Sequence, residues 1–346
     1  MNIRRLGRRW SIGAAVAGVC VLGTCWWTWS TASWSAEPSE LIVLPENVPA
    51  PPEGYRSETT LKLAYGLGQL DLMDKAGPTL PPEVEERKDV EYGRVGDRAL
   101  QADLYLPKQL DKRVPGLIFI HGGGWKGGQR ADYRVYTVDF AKRGYVVATI
   151  SYRLAQEAKF PAALEDVKCA VRWMRSQADE LHVDPQRIAV LGGSAGGHLA
   201  LMVGYTSEKS EWEGQGGHAG VSSAVQAVVD LYGPTDLDTP LGHSSDLVSN
   251  FLGKTYAEAP ELYRAASPVA HLDAQDPPTF ILHGTIDSIV PVEQSDLLAE
   301  KLRALGVRYW YDRLTGWPHT MDLAKPVNER CQLLISRFLE SQFGPR

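Results

Sequence analysis

The sequence predicts an α/β fold: a mostly parallel, doubly wound sheet of about eight strands with helices on both faces. Three observations predict it. From Val90 onward short apolar runs alternate with longer amphipathic segments. Several of the runs are apolar without interruption, as strands buried on both faces are. One of them passes through a glycine-rich turn straight into helix-compatible residues. The 346 residues are 44% hydrophobic and 23% charged, a balance that excludes wholesale disorder, collagen-like repeats and a multi-span membrane protein.

Residues 1–36 read as a signal peptide or membrane anchor. Arg4, Arg5, Arg8 and Arg9 precede an uncharged stretch, and no acid occurs before Glu37. The apolar centre, Ile12 to Trp29, is 18 residues long, longer than the usual signal-peptide core and just at the length of a membrane span. Small residues at Ser30-Thr31-Ala32 favour cleavage after Ala32, with an uncleaved anchor over 12–29 as the alternative. Either outcome exports the domain, which is then secreted or periplasmic. Without the four arginines the chain holds 32 basic against 42 acidic residues, which argues against nucleic acid as a partner. Residues 37–87 form a linker or arm, since eight of the 22 prolines fall between 37 and 82. Within it Leu61 to Met73 is apolar enough to pack on the domain that follows.

The catalytic domain is expected over 88–346, led by an antiparallel hairpin at Val90 to Leu106. Strands are expected at Leu117 to His121, Val146 to Ser151, Ile188 to Gly192, Val225 to Leu231, Phe280 to His283 and Arg308 to Asp312. Helices are expected at Tyr133 to Arg143, Ala162 to Glu180, Ala195 to Gly204, Glu293 to Leu305 and Asn328 to Gln342. Cys20 and Cys25 lie in the leader. Cys169 and Cys331 fall on helix-like segments and read as buried small apolar residues rather than a disulfide.

Arg187 to Leu201 (RIAVLGGSAGGHLAL) carries the chemistry. A nucleophilic serine needs its oxygen held clear of the backbone at a tight strand-to-helix turn with no room for flanking side chains. Gly192 and Gly196 around Ser194 meet that need. His121-Gly122-Gly123-Gly124-Trp125 follows a strand and lets backbone N–H groups approach a tetrahedral oxygen. Gly123 or Gly124, together with the N–H of Ala195, makes the expected oxyanion hole. Lys126 is misplaced for a phosphate-binding loop. Acid and base should follow the serine in that order: Asp287 in His283-Gly284-Thr285-Ile286-Asp287, and His319 in Gly316-Trp317-Pro318-His319, both just beyond apolar strands at the edge where Ser194 sits. Asp236 is the rival acid. Trp125 and Trp317 are candidate aromatic surfaces for substrate. No metal cluster or dinucleotide fingerprint accompanies these residues, so no cofactor is expected.

Taken together these motifs resemble the α/β-hydrolase superfamily over about 88–342. HGGGW and Ser151 to Val167 (SYRLAQEAKFPAALEDV) are similar to the hormone-sensitive-lipase-like esterases. GGSAGGHLA and HGTIDSIVP look more like the bacterial feruloyl and acetyl xylan esterases, the BD-FAE-like group, which borders the kynurenine formamidases. Gly193 stands where the lipase-like group usually carries Asp, and Asp287-Ser288-Ile289 replaces its D-P-L motif. The resemblance implies a serine carboxylesterase acting on short-chain or aromatic acyl esters of carbohydrates. A formamidase or peptidase using the same residues, and a non-catalytic binding module on the same fold, are the competing readings.

Overall fold

The computed structural model describes residues 43–74, 77–207 and 209–344. Residues 1–36, which read as a signal peptide or membrane anchor, lie outside the described residues. The arm contributes one helix, α1 (Glu58–Gly66). Strands β1 (Val84–Val95) and β2 (Arg98–Pro107) then make the leading antiparallel hairpin. After β3 (Val114–Ile120) the alternation begins: α2 (Arg134–Lys142), β4 (Val146–Ile150), α3 (Ala162–Ser176), β5 (Val183–Gly193), α4 (Ala195–Tyr205) and β6 (Ala227–Leu231). Three short helices follow, α5 (Pro240–Ser244), α6 (Asp246–Leu252) and α7 (Pro260–Ala265). The chain closes with β7 (Thr279–Gly284), α8 (Glu293–Leu305), β8 (Tyr309–Leu314) and α9 (Lys325–Phe343).

The eight strands lie in the order β1-β2-β4-β3-β5-β6-β7-β8. β2 meets β4 antiparallel, and every pair from β4 to β8 is parallel. Parallel strands need covering on both faces, and the alternation of side chains along them supplies two separate cores. Ile118, Val190, Val228 and Ile281 face one side, under α3, α4 and α8. Phe119, Leu191, Val229 and Leu282 face the other, under α2, α9 and the arm. Cys169 lies in the first core and Cys331 in the second, both as free buried thiols.

Two helix ends differ from expectation by more than one residue. α3 stops at Ser176 rather than Glu180. The chain must turn there to enter β5, which it does through His182 in the left-handed region at φ 56°. α9 starts at Lys325, three residues early, with Pro326 in its first turn, where a missing N–H costs nothing. The SYRL segment is a structural pin: the Arg153 guanidinium and N–H both bind the buried Asp166 carboxylate, at 2.7–3.0 Å.

Candidate active site

Three strands deliver three side chains to one edge of the sheet. β5 ends at Gly193, and Ser194 takes φ 56°, ψ −125° before α4 begins at Ala195. This is a sharp turn in a region that L-residues rarely adopt, and it is held by the Ser194 N–H bonding to Leu231 O at 2.9 Å. The turn closes only because a Cβ on Gly196 would stand 2.0 Å from Ile120 O. At Gly193 a Cβ would come within 2.2 Å of the Tyr133 hydroxyl, which explains why no aspartate precedes this serine.

Beyond β7 and β8, Asp287 and His319 come together with Ser194. His319 Nε2 lies 3.0 Å from Ser194 Oγ and Nδ1 lies 2.6 Å from Asp287 Oδ2. The rival acid Asp236 accepts the Asp238 N–H at 2.9 Å and the Ser267 hydroxyl at 3.3 Å. Asp287 Oδ1 accepts the N–H groups of Ile289 and Val290 at 2.9 and 2.8 Å, and Oδ2 also receives His283 Nε2 at 3.1 Å. Burial alone would raise this carboxyl. The hydrogen bonds from His283 and His319 prevail and hold it well below the usual carboxylate range. His283 is itself fixed by Ser295 Oγ at 2.7 Å. Its place four residues before Asp287 was visible in the sequence, but its role as a clamp on the acid was not.

Opposite the serine, Gly123 (φ 104°) and Gly124 (φ 59°) bend the HGGGW loop toward the turn. Ala195 opens α4, and the first N–H groups of a helix have no partner within it. Gly124 lines both recesses that meet at Ser194, whereas Gly123 lines one. The smaller recess measures about 80 Å³ and is walled by Trp125, Leu237, Leu247, Val248, Val290 and Pro291. The larger, about 490 Å³, is lined by His319 together with Lys126, Asp132, Tyr133, Tyr232 and Asp322. Tyr232 sits edge-on to His319 at 4.8 Å between ring centres and donates its hydroxyl to the buried Asp322 at 2.5 Å. Tyr136 donates to the other oxygen of that carboxylate at 3.0 Å.

Both tryptophans are almost fully buried, although Trp125 still lines the smaller recess and Trp317 a groove beside His319. Trp125 is 3% exposed, stacks on Phe251 at 4.4 Å and donates its indole N–H to His198 Nδ1 at 3.3 Å. Trp317 is 2% exposed, because the arm covers it: its N–H binds Pro52 O at 3.2 Å and Tyr55 packs edge-on. His198 serves as a prop for the HGGGW loop. Burial lowers its pKa to about 4, so it stays neutral, giving Nε2–H to Ala266 O at 2.7 Å and accepting from Trp125.

Fold and geometry together define the class: this is an α/β hydrolase in which the Ser194 turn, His319, Asp287 and the glycine loop share one edge of the sheet. The chain belongs to the BD-FAE family, whose model matches residues 102–302. Esterase LipC of Mycobacterium tuberculosis is 34% identical over 68% of this chain and 60% of its own length, so the chain spans less than two thirds of that relative. Among solved structures, a truncated carbohydrate esterase from gut microbiota superposes with TM-score 0.65 at 27% identity, covering 77% of this chain and 99% of its own. Propionate-bound esterase 2 of Thermogutta terrifontis gives TM-score 0.65 at 29% identity, covering 78% of this chain and 98% of its own.

Proposed function

We propose that the protein is a serine carboxylesterase that removes short acyl groups from a bulky, polar alcohol, with acylated carbohydrates as the substrate class. One observation carries this reading: two unequal recesses meet at Ser194, and only the larger is lined by His319. Ser194 Oγ attacks the acyl carbon while its proton passes to His319 Nε2. The carbonyl oxygen becomes an oxyanion facing the N–H of Ala195 and of Gly123 or Gly124. As the bond from the acyl carbon to the alcohol oxygen breaks, His319 returns the proton to that oxygen, so the alcohol must leave on the His319 side. Water then attacks the acyl-enzyme, giving a proton to His319 that returns to Ser194.

The acyl group is therefore left to the small recess. At about 80 Å³ it is roughly half the ~150 Å³ of a cavity that just holds a benzene ring, which favours acetyl to butanoyl over aromatic acids. Lys126, Asp132 and Tyr133 offer charged and hydroxyl groups to a polyhydroxylated alcohol on the other side. A relative in fold described as a carbohydrate esterase, and another with propionate bound, support both halves of the reading. The test is a kcat/KM series over ethyl acetate, ethyl butanoate, ethyl hexanoate and ethyl ferulate, run beside O-acetylated xylosides. Acetate and butanoate are expected to exceed hexanoate and ferulate by about tenfold or more, and the sugar acetates to be deacetylated. Preference for hexanoate or ferulate, or inert sugar acetates, would overturn it.

A further inference from the structure

The arm builds a second surface against the base, outside the residues matched by the family. α1 is capped by Ser57, whose hydroxyl accepts the Thr60 N–H while Thr60 Oγ1 accepts the Ser57 N–H, a reciprocal cap that fixes the helix end. The arm is tied down on both sides of His319. Before the helix, the Tyr55 N–H binds Gly316 O at 2.8 Å and Pro52 O receives the Trp317 indole. After it, the Met73 N–H binds Leu323 O at 2.8 Å and Asp71 O accepts the Lys325 N–H at 2.9 Å. Between these ties runs a groove of about 260 Å³, walled by Leu61, Tyr65, Leu70 and Leu72 of the arm and by Pro318 and Leu323 of the histidine loop.

The groove borders the larger recess: His319, Thr320 and Leu323 line both. The leaving oxygen has to lie beside His319 Nε2 to be protonated, so a substituent carried a few atoms beyond it passes Thr320 and Leu323. We propose that this groove is a specificity subsite for an alkyl or aryl group borne by the leaving alcohol, such as the aglycone of an acylated glycoside, and that the arm exists in part to wall it. The polar lining near Ser194 then meets the sugar and the apolar groove meets what the sugar carries. This rests on assigning the His319 side to the leaving group.

Acetates of lengthening alcohols test the subsite without a sugar, and at nearly constant leaving-group basicity. Fully burying a methylene is worth about fourfold in kcat/KM, and an open groove about half of that in free energy, or roughly twofold. Hexyl acetate should therefore exceed ethyl acetate by roughly tenfold in the wild type, both kept below their solubility limits. Tyr65→Ser and Leu323→Ser should each cut that ratio by about threefold or more. Leu63 and Leu67 are exposed on the same arm but do not line the groove, so Leu63→Ser and Leu67→Ser should leave the ratio unchanged. A flat wild-type series overturns the proposal. So does a ratio that Leu63→Ser and Leu67→Ser lower as much as Tyr65→Ser, which would mark a surface for lipid aggregates instead. Failure of the ethyl ester series above would strike the acyl assignment and leave this ratio readable.

Discussion

At the scale of single residues, the charge on Asp287 is the feature the rest depends on. It is held by two backbone N–H groups and two histidines, so it stays ionised throughout the range in which the protein would work, and His319 keeps one tautomer with Nε2 open to Ser194. Ser194→Ala should lower kcat by roughly 10⁵ to 10⁶, and Asp287→Asn by about 10⁴ through the wrong tautomer. Folded variants with near-native turnover of 4-nitrophenyl acetate would show that the three residues do not act together. A base must be neutral to accept a proton, so kcat/KM should fall on the acid side as a single ionisation, with no second step from Asp287. The meeting of Ser194, Asp287 and His319 at one edge could be expected from the sequence because each follows an apolar strand in a fixed chain order. His283 and His198 could not be assigned roles, because their partners Val290, Ser295, Ala266 and Trp125 come from separate segments that only the fold brings together.

At the scale of elements, strands and helices were legible wherever burial on both sheet faces enforced continuous apolar runs. α8 coincides with the expected Glu293 to Leu305. The arm was legible only as apolar, since proline-rich segments carry no periodicity and the path of this one is set by backbone contacts with the histidine loop. That docking is tight at Gly54, where a Cβ would stand 2.0 Å from Thr315 O. Gly54→Val should therefore lift the arm off Trp317 and lower the melting temperature by several degrees, the effect of roughly 1 to 3 kcal/mol. Acrylamide quenching of tryptophan fluorescence should rise in the same variant. Unchanged quenching together with an unchanged melting temperature would mean the arm adds no cover.

At the scale of the whole molecule, buried ionisable groups couple stability to pH with opposing signs. His198 titrates near 4 in the folded protein against about 6.5 when unfolded, so between those values the unfolded chain takes up a proton that the folded one refuses. Its contribution is lost as pH falls through that window, up to about 3 kcal/mol by pH 4. Asp287, lowered in the fold, loses its stabilisation at still lower pH, as the carboxylate is protonated. Asp230 and Asp322, raised by burial, act the other way and favour the folded state in acid. The informative measurement is thus a difference: melting temperature from pH 7 to 4.5 should decline more steeply for wild type than for His198→Asn. Parallel curves would show that His198 is not the group that refuses the proton.

The sheet also divides the interior into two halves that share no side chains, and each half encloses one thiol. Burial pushes the Cys169 thiol up to about 11 and raises the Cys331 thiol well above its usual range, so neither reacts while its own half is closed. The molecule thus carries a pair of internal clocks, one per layer. Timed alkylation read by peptide mass would tell whether the layer under α3 and the layer under α9 open in a single event or one ahead of the other.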